Sequence, residues 1–125
     1  GMSFVLLLEP NRLLAKQYTA FLTQAGHEVI WHENAQSAIS AADGTKPDVV
    51  VVELLLAGHS GIEFLYEFRS YGDWQKVPVI ILSSVTQQEA AVPNQTLKEL
   101  GVVAYLYKSQ TSLDKLGSQI EKVLE

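Results

Sequence analysis

The stretch Pro47 to Gly61, PDVVVVELLLAGHSG, constrains the fold more than any other part of the chain. From Val49 to Leu54 every residue is apolar except Glu53. An unbroken β-branched run, rather than an alternating one, is what a strand needs when helices cover both faces of a parallel sheet. Asp48 to Glu53 is therefore read as the central strand. Glu53 stands at its carboxyl end, and the turn Ala57, Gly58, His59, Ser60, Gly61 leads into a helix. Open α/β sheets collect ligands and chemistry just beyond the carboxyl ends of their strands, which directs the search for function to Glu53.

The remaining segments fit around this strand. Phe4 to Leu8 reads as a first buried strand, Glu28 to His32 as a second, Val77 to Leu82 as a fourth and Val102 to Tyr107 as a fifth. Between them, apolar residues near the 3.6 period predict helices over Asn11 to Ala25, Ala35 to Ala42, Ser60 to Tyr71, Asn94 to Leu100 and Leu113 to Leu124. Asn34 and Ser60 suit helix N-caps, and Gly26 and Gly101 suit C-terminal stops. Pro93 interrupts the polar stretch Thr86 to Gln95, so only its downstream part reads as helix. Alternation of five strands and five helices implies an α/β, doubly wound parallel sheet with right-handed crossovers. In the flavodoxin-like strand order 2-1-3-4-5, the switch point falls between the first and third strands.

A chain of 125 residues is expected to be a single domain, residues 1–125, burying about two-thirds of its unfolded surface. Gly1 ahead of Met2 is read as a tag remnant. No apolar run approaches the ~20 residues that span a bilayer. A net charge of −5 provides no basic patch for nucleic acid, and the absence of cysteine removes disulfides and thiol chemistry. Without an apolar signal segment, a cytoplasmic location is the expectation.

At the carboxyl ends of the strands stand Glu9, Glu53, Ser83, Ser84 and Lys108. Two carboxylates, a hydroxyl and an ammonium can form a site for a phosphoryl group and Mg²⁺. The same set can instead be a solvated rim cluster that Lys108 neutralises. Both readings stay open on the residues alone.

The stretches LLLEPN, PDVVVVELLLAGHSGIEFL, VPVIILSS and AYLYKS, in this order, resemble the receiver domain of bacterial response regulators. The resemblance covers essentially the whole chain. It implies a CheY-like fold and two-component (phosphorelay) signalling, with no enzyme activity of its own. In that family a third-strand aspartate accepts a phosphoryl group from a histidine kinase, a first-strand acid pair binds Mg²⁺, and a Ser/Thr and a Lys sense the acyl phosphate. Glu53, Glu9, Ser83 and Lys108 occupy those positions, and Tyr105 matches the aromatic that reports the switch.

Departures fall at the chemical centre. Glu53 is one methylene longer than aspartate, and Pro10 stands where the second acid of the Mg²⁺ pair is expected. Ångström-scale misplacement of a nucleophile is costly, and Mg²⁺ demands near-ideal geometry. Asn11 offers an oxygen from the wrong position. The expectation is a degenerate, or pseudo-, receiver with no resident metal or other cofactor. It would act as a phosphorylation-independent protein-interaction module. Its partner would bind the face made by the fourth helix, fifth strand and fifth helix, and a homodimer is left open. Glu53 is either a standing mimic of the active state or a residue kept because it satisfies Lys108. A working receiver using Glu53, and a small enzyme using Glu9, Glu53 and Lys108, are the alternatives. The long Ser83–Lys108 segment implies a reshaped fourth-helix surface, and Ser109 replaces the proline the family usually carries after the lysine.

Other candidates carry less. Gly58-His59-Ser60-Gly61 fails as a nucleophile elbow because Ile62 takes the final glycine position. His27, His32 and His59 lack ligand spacing and are expected at the surface. Trp31 is expected to pack on a helix; Trp74, in the polar turn Gly72 to Lys76, is either exposed, where it could anchor a partner, or caps the edge of the core, the commoner role.

Overall fold

In the computed structural model, which describes residues 2–125, strands and helices alternate as β1 (Ser3–Leu8), α1 (Arg12–Gln24), β2 (His27–His32), α2 (Ala35–Gly44), β3 (Val49–Val52), α3 (Gly61–Ser70), β4 (Val79–Ser83), α4 (Asn94–Glu99), β5 (Val102–Tyr107) and α5 (Leu113–Leu124). Gly1 lies outside the described residues. The strands form one parallel sheet in the order β2-β1-β3-β4-β5, the flavodoxin-like order expected from the sequence. None of the described helices is long and apolar enough to cross a membrane.

The central strands are apolar without alternation because each face meets helices. Leu6, Leu8, Val50, Val52, Val79 and Ile81 pack with residues of α2, α3 and α4, among them Ala38, Phe64, Phe68 and Leu97. Val5, Leu7, Val49, Val51, Ile80 and Leu82 turn the other way, toward Ala15, Leu22, Leu116 and Ile120 of α1 and α5. Burying each such side chain contributes about 1.5–3 kcal/mol, which makes this two-sided core the dominant favourable term.

Caps place the helix starts. Asn11, Asn34, Ser60 and Ser112 accept from Leu14, Ser37, Glu63 and Lys115 backbone N–H groups, respectively. Gly26 adopts φ 101°, the left-handed turn that ends α1.

An open alternative is decided and an expectation is corrected. Trp74 is 5% exposed: its ring stacks on Phe68 at 4.9 Å and closes the end of α3. His27 is 7% exposed, buried by its place at the start of β2, and its Nε2 lies 2.8 Å from Glu121 on α5.

Candidate functional site

Strand register determines which side chains meet. Leu8 lies opposite both His32 and Val52, so the residues that follow leave the sheet together. Glu9 N–H donates to the His32 carbonyl and Glu53 N–H to the Leu8 carbonyl, each at 3.0 Å, extending the ladder one step beyond the strands. The two side chains therefore emerge beside one another at the switch point. β4 ends in Ser83, and Lys108 follows β5 in a short 3-10 turn.

Lys108 Nζ lies 2.7 Å from Glu9 Oε1 and 2.8 Å from Glu53 Oε1. Both carboxylate side chains are 2% exposed and the lysine 13%. Every carboxylate oxygen has a donor. Glu9 Oε2 accepts from Asn11 N–H at 3.0 Å. Glu53 Oε1 also accepts from Ser84 N–H at 2.9 Å, while its Oε2 takes the Ser83 hydroxyl and, at 3.1 Å, Leu55 N–H. Burial disfavours the Glu53 anion, but the Lys108 ammonium, the Ser83 hydroxyl and the Leu55 and Ser84 amides outweigh it and hold the carboxyl below its usual value. Burial disfavours charged Lys108 too, and its bonds to Glu53 and Glu9 reverse the sign and raise its pKa.

Asn11, whose side chain caps α1 by accepting from Leu14 N–H at 3.0 Å, is occupied elsewhere. Among the described residues, no group of three or more His, Asp or Glu side chains is placed to hold a metal ion. Gly61 closes the loop against this site: a Cβ there would stand 2.5 Å from the Glu53 carbonyl oxygen and 2.8 Å from Leu54 Cα.

The site connects outward along β4. Val85 N–H donates to Ser83 Oγ at 3.2 Å, and Tyr105 OH donates to the Val85 carbonyl at 2.7 Å. Tyr105 thus touches the loop that grips Glu53, while remaining part of the β5 surface near Val103, which is exposed.

A family model for the response regulator receiver domain matches residues 5–121. The chain belongs to that family. Among relatives of this receiver, the protein PilH of Pseudomonas aeruginosa is 26% identical over 87 residues, covering 70% of this chain and 72% of that protein. The KDP operon transcriptional regulatory protein KdpE of Escherichia coli is 31% identical over 87 residues, covering 70% of this chain and 37% of the regulator. The receiver therefore spans little more than a third of that second relative's length. In fold, it matches the chemotaxis protein CheY4 of Vibrio cholerae with a TM-score of 0.88 at 22% identity, covering 99% of this chain and all of the other. A sensor protein from Polaromonas matches with the same TM-score at 15% identity, over 99% of this chain and 97% of that one.

The sequence points to Glu9, Glu53, Ser83, Ser84 and Lys108, and the structure brings all five together. Sequence reasoning missed Trp31, whose indole N–H donates to the Glu9 carbonyl at 2.9 Å and steadies the loop carrying Glu9. It also missed Arg69, whose guanidinium ties the carbonyls of Leu100 at 2.8 Å and Trp74 at 2.6 Å to α3. A lone arginine in an otherwise amphipathic helix was the only available signal.

Proposed function

We propose that this receiver does not switch by phosphorylation of its third-strand acid, and instead works as a standing protein-interaction module of a two-component-type pathway. Receiver domains engage proteins such as kinases and effectors; here the partner surface is assigned to α4, β5 and α5, which carry Tyr105 and the exposed Val103. A cytoplasmic location belongs to the same reading.

One observation carries it. The donors that would receive a phosphoryl group, Lys108, Ser83 and the Ser84 amide, are already spent on the Glu53 carboxylate. Glu53, a methylene longer than the aspartate of the family, reaches these donors by itself. That supports a site held in one arrangement by a built-in anion. A charge of −1 there stands in for part of the −1.5 to −2 that a phosphoryl group brings.

The same geometry argues against Mg²⁺. The Lys108 ammonium lies between Glu9 and Glu53, both carboxylates are committed to protein donors, and Pro10 contributes no ligand. Mg²⁺ needs near-octahedral oxygen coordination, and these residues do not fit it.

Incubation with acetyl phosphate and Mg²⁺, followed by intact-mass analysis, tests the reading. The expected result is unmodified protein. A phosphoryl adduct that disappears in Glu53→Gln would contradict it.

A further inference from the structure

Beside the carboxyl end of β2, on the far side of Glu9 from Lys108, Arg12, Lys16, Trp31 and Glu33 line a cavity of about 490 Å³. That volume suits a small molecule rather than a polymer.

Its chemistry is unlike the rest of the chain. The protein carries a net charge of −5, yet here two cations face one carboxylate. Arg12 reaches Glu33 at 3.3 and 3.4 Å from well-exposed side chains, a weak pair that opens readily. Lys16 makes no ion pair among the described residues. The cavity therefore retains one positive charge. Its aromatic wall is also fixed: the Trp31 indole is pinned by its 2.9 Å hydrogen bond to the Glu9 carbonyl. A ring already held in one orientation loses little freedom when a flat ligand stacks on it.

A hydrogen-bonded indole next to an unpaired lysine and a weakly paired arginine matches a ligand with one flat ring and one anionic group. Stacking on tryptophan tolerates any base, and arginine and lysine both hold phosphate. We propose that this cavity binds a mononucleotide, with the base against Trp31 and the phosphate between Arg12 and Lys16. The proposal does not depend on whether Glu53 is phosphorylated.

The test is a titration of ¹⁵N-labelled protein with AMP, GMP, adenosine and inorganic phosphate, reading the two indole N–H signals, assigned through Trp31→Phe. At millimolar concentration AMP or GMP is expected to move the Trp31 signal and leave that of Trp74 in place. Adenosine and phosphate should each bind at least about tenfold more weakly. Lys16→Ala, an exposed substitution, should weaken nucleotide binding about tenfold, and Glu33→Gln should tighten it by removing the opposing charge. No movement at about 10 mM of either nucleotide, equal binding of adenosine, or affinity indifferent to both substitutions would overturn the proposal.

Discussion

Lys108 Nζ lies 2.8 Å from Glu53 Oε1, a contact that reaches across β4 from the end of β5 to the end of β3. It unites the carboxyl ends of three strands around buried charge, and Glu9 completes it from β1. A buried ion pair contributes little net stability compared with apolar packing, but removing one partner strands the other.

Lys108→Met is accordingly expected to cost about 3–5 kcal/mol, because Glu9 and Glu53 are left buried without a cation. Urea unfolding at neutral pH measures it. Glu53→Gln should cost less, about 1–3 kcal/mol, since Glu9 still satisfies Lys108 and the amide retains some hydrogen bonds.

Stability should respond to pH from both sides. Glu53 has a lowered folded pKa, so its contribution is present above the unfolded value of about 4.3 and is lost as pH falls through the folded value. Lys108 has a raised folded pKa, so its contribution is fully present below about 10.4 and is lost as pH rises through the folded value. Urea midpoints measured against pH should show a plateau between these limits. Glu53→Gln should flatten the acid limb.

Gly61→Ala probes the loop. Its Cβ would press on backbone atoms of Glu53 and Leu54, at 2.5 and 2.8 Å, which cannot swing aside as a side chain would. A loss of about 1–3 kcal/mol is expected, together with displaced amide signals at Glu53 and Leu55.

Trp74→Ala should cost about 3–5 kcal/mol by thermal or urea unfolding, the usual penalty for emptying a buried aromatic site. A value near zero would mean the ring is not part of the core.

Trp74 also marks where the sequence stops being informative. The strands, the caps at Asn34 and Ser60, and the Glu9, Glu53, Ser83 and Lys108 cluster were legible because they follow from local pattern and from the order of strand ends. Trp74 sits in a polar turn, Gly72 to Lys76, which leaves exposure and a place at the core edge both open; its stacking on Phe68 decides for the core. His27 looked like a surface histidine because its partner, Glu121, lies 94 residues away. The Trp31 bond to the Glu9 carbonyl uses a backbone acceptor, which leaves no trace in residue types. Periodicity records burial along one element; it says nothing of contacts between distant ones.

Titration of ¹⁵N-labelled protein with Mg²⁺, then with beryllofluoride as a phosphoryl mimic, is the decisive check on the proposal that Glu53 fills the switch site. At millimolar concentration neither should perturb the signals of Glu9, Glu53 or Lys108. Binding of both, with shifts spreading through Ser83 to Tyr105, would instead show a receiver that still switches by phosphorylation.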